Sequence, residues 1–96
     1  MTRAAIIAAL DALKPELAAF DVASLRLFGS HARDAAGNDR DIDLAVAFKG
    51  PATFDRFMGL ELFLEDHLGH KVDLVTEQAI RPELRPAIER DAIRVA

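Results

Sequence analysis

The sequence LFGS at residues 27–30 is followed, after ten residues, by DIDLAVAF at residues 41–48. Alternate residues of a strand point to the same side, so Asp41 and Asp43 project together, roughly 6 to 7 Å apart at their Cα atoms, while Ile42 points the opposite way. Two carboxylates beside a buried apolar run need a cation to neutralise them. Mg²⁺ is the usual cation for hard oxygen ligands accompanied by phosphate. The strand therefore predicts a metal-binding carboxylate pair.

The segment before the carboxylates predicts a phosphate-binding turn. Its apolar run ends at Gly29 and Ser30, where glycine permits close backbone approach and serine can cap a short helix that begins at His31. Free backbone amides at a helix start hold phosphate oxygens. We expect His31 to face solvent, and residues 34–40 to form a polar loop beside a nucleotide pocket.

Together these motifs resemble the nucleotidyltransferase superfamily, and specifically its minimal members, the small MNT antitoxins that pair with HEPN toxins. Residues 29–33 resemble the family's glycine-serine-x-alanine-arginine turn, and residues 41–44 its aspartate-isoleucine-aspartate-leucine strand. The sequence VDLV at residues 72–75 falls where the family places its third carboxylate, Asp73. The resemblance extends through the tail. Arg40 is a departure, because many relatives carry serine immediately before the first aspartate.

The resemblance implies a role for each site residue. Asp41 and Asp43 would hold two Mg²⁺ ions, and Asp73 would bind the catalytic metal and act as base for the incoming hydroxyl. Gly29 and Ser30 would bind the terminal phosphates of ATP, the nucleotide donor. Two metal ions can serve the attacking hydroxyl and the leaving pyrophosphate of such a transfer.

An arginine and two histidines also lie near these motifs in the sequence. Arg33 either steadies the nucleotide phosphate or forms a structural ion pair, and both alternatives stay open. His67 and His70 flank Gly69 at a predicted helix end, where histidine complements the helix dipole. We assign them no metal role, because no ligand cluster with zinc spacing forms.

Hydrophobic periodicity predicts alternating helices and strands in a single domain, residues 1–96. We predict helices over residues 2–19 and 53–68, a short last helix from Pro86, and strands over residues 24–28, 41–48, 71–76 and 93–96. The expected class is α/β, with a small mixed β-sheet and helices mainly on one face, the nucleotidyltransferase fold. The apolar residues of the 53–68 helix cover more than one face, so it is either buried on two sides or in contact with another subunit.

Size and composition limit the function classes. The chain has 96 residues, a formal charge of −4 and no cysteine, tryptophan or tyrosine. The negative charge argues against extended nucleic-acid binding, and no apolar run reaches membrane-spanning length. The lack of cysteine fits a cytoplasmic location. A chain this small has no room for an acceptor-binding domain, so we expect a partner and a homo- or hetero-oligomer.

Three functions fit these observations. The leading one is a Mg²⁺-dependent nucleotidyltransferase, a protein adenylyltransferase, that moves AMP from ATP to a hydroxyl, with tyrosine favoured, of a cognate HEPN ribonuclease toxin and acts as its antitoxin. The second is a small-molecule nucleotidyltransferase similar to the aminoglycoside-modifying branch. The third is an antitoxin that acts by binding alone.

Overall fold

The computed structural model describes residues 1–35 and 40–96. The middle of the predicted loop, residues 36–39, lies outside the described residues. The described elements are, in chain order, α1 (Arg3–Ala12), α2 (Lys14–Ala19), β1 (Val22–Phe28), α3 (Gly29–Ala32), β2 (Ile42–Phe48), α4 (Phe54–Leu68), β3 (Val72–Thr76), two 3₁₀ turns (Glu77–Ala79 and Pro82–Leu84), α5 (Arg85–Asp91) and β4 (Ile93–Arg94). Within these ranges, no helix has the length and apolar character needed to cross a membrane.

The described strands form a mixed sheet in the order β3-β2-β1-β4. β1 pairs antiparallel with both β2 and β4, whereas β2 and β3 run parallel. The register places Phe28 opposite Asp43, and Asp43 opposite Asp73. Side chains at paired positions of neighbouring strands point to the same face, so these three residues form a row across the sheet.

The hydrophobic core lies on the other face of the sheet, beneath α1, α2 and α4. Alternate strand residues point into it, as the period of two requires. Its fully buried side chains include Ile6, Leu10, Leu25, Leu27, Ile42, Leu44, Val46, Leu60 and Leu64. The larger helices thus cover one face of a small mixed sheet, as the sequence predicted.

The predicted continuous helix over residues 2–19 is wrong. The chain forms two helices, α1 and α2, separated at Leu13, which has φ −96° and ψ 4°. Pro15 is the physical cause, because proline lacks an amide hydrogen and its ring would clash with the carbonyl of Asp11 in a continuous helix. The structure instead places Pro15 in the first turn of α2, where proline is tolerated.

Helix α4 matches its prediction to within one residue. The Thr53 side chain accepts a hydrogen bond from the Arg56 amide at 3.2 Å, and Gly69 ends the helix in the left-handed conformation, at φ 61°. Leu60 and Leu64 are fully buried, whereas Phe54 is 77% and Leu62 60% exposed. The helix is therefore buried on one side and presents apolar side chains on another.

Arg26 ties the C-terminal elements to the sheet face opposite the core. Its Nε donates to Oε2 of Glu77 at 2.8 Å, and its Nη1 donates to Oε2 of Glu89 at 2.7 Å. Hydrogen bonds to both carboxylates raise the pKa of the Arg26 guanidinium. Glu77 begins the first 3₁₀ turn and Glu89 lies on α5, so one cation fixes both elements.

Candidate active site

Four of the predicted site residues line one cavity on the face opposite the core. Ser30, Asp41, Asp43 and Asp73 surround it, together with Arg40. The cavity volume is about 330 Å³. Asp43 and Asp73 face each other because β2 and β3 are parallel and in register at these positions. Three carboxylates that are dispersed along the sequence therefore line the same cavity at one end of the sheet.

Asp43 is perturbed by burial and by the two neighbouring carboxylates. Burial, followed by the charge of Asp73, a hydrogen bond with Asp73 and the charge of Asp41, raises the pKa of the Asp43 carboxyl from 3.8 to about 6. The positive charge of Arg33 opposes this shift. Like charges brought together in a half-buried place disfavour ionisation, so the site holds negative charge that a cation would stabilise.

Gly29 brings the turn after β1 against Asp43. Its φ is +74°, a conformation that L-residues with a side chain rarely adopt. A Cβ atom at this position would collide with Oδ2 of Asp43 and lie 3.1 Å from its Cγ. Glycine is therefore required twice, for the backbone angle and for the close approach to the carboxylate.

Ser30 lies inside helix α3 and does not cap it, so that part of the prediction is wrong. The helix begins two residues earlier than predicted, because the chain already turns at Gly29, and Phe28 occupies the N-cap position. The Ser30 carbonyl accepts a hydrogen bond from the Ala35 amide at 2.9 Å. Ser30 also lines the cavity with the carboxylates.

Arg33 does not line the cavity. Its Nη1 bonds to Oδ2 of Asp91 on α5 at 3.3 Å, and its side chain is 51% exposed. This contact corresponds to the structural ion pair, one of the two alternatives that the sequence left open. The nucleotide-binding role of Arg33 stays a prediction. Arg40, which the sequence marked only as a departure, does line the cavity.

His31 is buried, so the prediction that it faces solvent is wrong. It is only 2% exposed, and its Nδ1 has no hydrogen-bond partner among the described residues. Burial and the nearby His70, whose ring meets it edge-on at 5.5 Å, lower its pKa. A helix of four residues is too short for periodicity to reveal its buried side, so the burial of His31 has no signal in the sequence.

The donor set fits a hard divalent cation. The described residues contain no group of three acidic or histidine side chains already close enough to hold a metal ion. Mg²⁺ is, however, usually bound by one or two carboxylates together with substrate phosphates and water, without an all-protein cage. Asp43 and Asp73, paired in register beside Asp41 in an open polar cavity, supply that chemistry.

A glycine-serine turn packed against a carboxylate pair, with a third carboxylate on the adjacent parallel strand, defines the nucleotidyltransferase class. The sequence profile of the Nucleotidyltransferase domain family matches residues 8–95. The chain belongs to this family, and the prediction of a nucleotidyltransferase enzyme is confirmed.

Two relatives cover most of the chain. A protein of Methanocaldococcus jannaschii described as a protein adenylyltransferase is 42% identical over 77 residues, which is 79% of each chain. The protein adenylyltransferase MntA of Thermococcus cleftensis is 34% identical over 87 residues, covering 90% of this chain and 88% of that protein.

Solved structures share the fold. One described as a minimal nucleotidyltransferase has a TM-score of 0.83 and 38% identity, and covers 97% of this chain and 95% of its own. A toxin-antitoxin complex with AMP-PNP gives a TM-score of 0.75 at 20% identity, covering 91% and 72%. A tri-AMPylated HEPN toxin from Shewanella oneidensis with its MNT antitoxin gives 0.67 at 20%, covering 92% and 69%. The predicted nucleotidyltransferase fold is confirmed.

Proposed function

We propose that this chain is a Mg²⁺-dependent protein adenylyltransferase that transfers AMP from ATP to a hydroxyl, with tyrosine favoured, of a cognate HEPN ribonuclease toxin and so neutralises it in the cytoplasm. The observation that carries the proposal is that Ser30, Asp41, Asp43 and Asp73 line the same cavity. The names of the relatives, protein adenylyltransferases, support the same reaction. Residues 1–96 would act as one catalytic domain.

Each residue of the site would have a separate role in the transfer reaction. The backbone at Gly29 and the hydroxyl of Ser30 would bind the terminal phosphates of ATP. Asp41, Asp43 and Asp73 would hold two Mg²⁺ ions, which when bound neutralise the triphosphate and the acids. The acceptor oxygen forms a bond to the α-phosphorus while the bond to pyrophosphate breaks. Asp73, at the edge of the cavity, would take the proton of the acceptor hydroxyl.

A tyrosine acceptor must come from another chain or molecule. The sequence contains no tyrosine, so the enzyme cannot modify itself on that residue. Phe54 and Leu62, both largely exposed on α4, supply an apolar surface of the kind that protein contacts cover. Both observations support a partner toxin and an oligomeric assembly.

The test is transfer of label from α-labelled ATP in the presence of Mg²⁺ and a lysate of the host. Wild type and the matched control Asp66→Asn, which removes an exposed acid of α4, should label a protein band, whereas Asp43→Asn should not. Label found in a soluble small molecule would support the aminoglycoside-like alternative. Neutralisation of the toxin by an Asp41→Asn, Asp43→Asn double variant, without labelling, would support action by binding alone.

A further inference from the structure

An apolar groove adjoins the carboxylate cavity and shares one residue with it, Asp73. The groove has a volume of about 290 Å³. Phe28 and Val75 contribute to it from the sheet, and Ile80, Leu84 and Ile88 from the C-terminal elements. None of these five side chains has a part in the chemistry proposed above.

The strand geometry sets the direction of the groove relative to the acids. Asp73 and Val75 are two residues apart on β3, so they lie on the same face with Cα atoms roughly 6 to 7 Å apart. Phe28 stands in the same row as Asp43 and Asp73. The groove therefore adjoins the row of carboxylates and extends from it over the sheet toward α5.

We propose that this groove binds the aromatic ring of the acceptor, a phenol, with its hydroxyl directed at Asp73. The inference rests on the proposed function, since it assigns the acceptor side of the same site. A phenol has one polar atom at the end of an apolar ring. The groove has the same distribution of polar and apolar groups, because its lining is apolar apart from Asp73 at the cavity end and Arg81.

The adenine of ATP fits the groove less well. A purine carries polar atoms around its whole edge, and each needs a partner once it leaves water. Among the described residues that line the groove, only Asp73 and Arg81 have polar side chains. The volume of about 290 Å³ also lies just below the range for small-molecule sites, about 300 to 1,000 Å³, which suits one ring better than a nucleoside.

The groove is open and its walls are held firmly. Leu84 is 52% exposed and Ala79 is exposed as well, so a ring offered by the surface of another protein can enter. Arg26 bonds to Glu77 and Glu89, which belong to the first 3₁₀ turn and to α5, two of the elements that form the walls. Because the groove is preformed, binding of the ring costs little free energy for ordering the side chains of the groove.

Replacement of Ala79 by leucine tests the assignment. Ala79 lines the groove and is exposed, so Ala79→Leu fills the groove without entering the core. Ala87→Leu is the matched control, because Ala87 is an exposed alanine of the adjacent helix α5 that does not line the groove. Thermal unfolding should show that both variants fold. If Ala79→Leu does not, Leu84→Ser at a half-exposed position replaces it.

Two probes separate the acceptor from the donor: 4-methylphenol, followed through the methyl signals of Val75, Ile80 and Ile88, and ATP with Mg²⁺. Ala79→Leu should weaken 4-methylphenol binding at least about tenfold and leave the Kd of ATP within about twofold. Ala87→Leu should change neither value. Competition between ATP and 4-methylphenol, or a matching loss of ATP binding, would overturn the assignment in favour of adenine. Absence of 4-methylphenol binding to wild type would also overturn it.

Transfer is measured separately, so that the two proposals can fail independently. Wild type should also move α-label from ATP to N-acetyl-tyrosinamide but not to N-acetyl-serinamide, and Ala79→Leu should raise the KM for the tyrosine compound. If wild type binds 4-methylphenol in the expected pattern but transfers no label to N-acetyl-tyrosinamide or to any protein, the groove is a phenol-binding site without an acceptor role, and adenylyl transfer is overturned.

Discussion

The two faces of the central sheet perform different tasks with alternating residues of the same strands. On β2, Ile42 and Leu44 are fully buried in the core, while Asp43, between them, points to the carboxylate cavity. β3 repeats the arrangement, with Leu74 buried beside Asp73. The comparison shows that a period of two places core side chains and cavity carboxylates at adjacent positions of the same strand. Substitutions at neighbouring positions should therefore have opposite consequences.

The largest expected effect is on the face of the sheet that carries the carboxylate cavity. Asp43→Asn keeps the size of the side chain but removes a charged oxygen donor from the cavity, so we expect adenylyl transfer to fall on the order of a thousandfold, roughly 4 kcal/mol of activation free energy. Single-turnover transfer from labelled ATP measures it. The folded structure should persist, as circular dichroism would show. An activity loss of the same size in Asp66→Asn would contradict a specific role.

Leu44, the next residue on β2, should affect stability and leave the rate of transfer unchanged. Leu44→Ala removes a fully buried core side chain, which typically lowers the free energy of unfolding by about 3 kcal/mol. Urea unfolding measures this loss. Transfer per folded molecule should stay near the wild-type value at a temperature where the variant remains folded. A large fall in that specific rate would show that the two faces are coupled through the strand.

Gly29 is the position at which the separation of the faces should break down. Gly29→Ala puts a side chain at φ +74° and against the Asp43 carboxylate, so it should both destabilise the fold, by about 1 to 3 kcal/mol, and abolish transfer. Urea unfolding and the labelling assay report the two losses. Gly50→Ala serves as control, since its nearest neighbour would be 3.6 Å away. A stable, inactive Gly29→Ala would mean that only the site is affected.

The sequence predicted the parts of the molecule that local rules govern. The alternation in residues 41–48 located Asp43 and Leu44 on opposite faces, and Thr53 and Gly69 marked the ends of α4. The assignment of Asp73 to the same site as Asp43 came through the family resemblance, because strand pairing over 30 residues has no local signature. Roles for these residues in catalysis remain predictions that the variants above test.

The sequence could not predict contacts that only the tertiary structure creates. Arg26 meets Glu77 and Glu89 from 51 and 63 residues away. Arg33 pairs with Asp91 across a similar distance in the chain. The burial of His31 likewise depends on the elements packed around a four-residue helix. No periodicity or spacing encodes which distant carboxylate an arginine will meet, so these pairs can be read only from the fold.

The smallest expected effect is a pH dependence that distinguishes the faces without any assay of activity. The pKa of Asp43 rises from 3.8 to about 6 on folding, so between these values the folded protein holds a proton that the unfolded chain has lost. The stability of the metal-free protein should therefore fall as the pH rises from about 4 to about 6, and then level off.

Asp43→Asn lacks this loss, and should exceed wild type by about 1 to 2 kcal/mol at pH 7, after allowance for solvent screening, and by almost nothing at pH 4. Urea unfolding at both pH values, with Asp66→Asn as control, measures the difference. Mg²⁺ should narrow the difference at pH 7, because the cation stabilises the ionised wild-type carboxylate. Parallel pH profiles for wild type and Asp43→Asn would mean that burial and the neighbouring acids do not raise the pKa of Asp43 in the folded state.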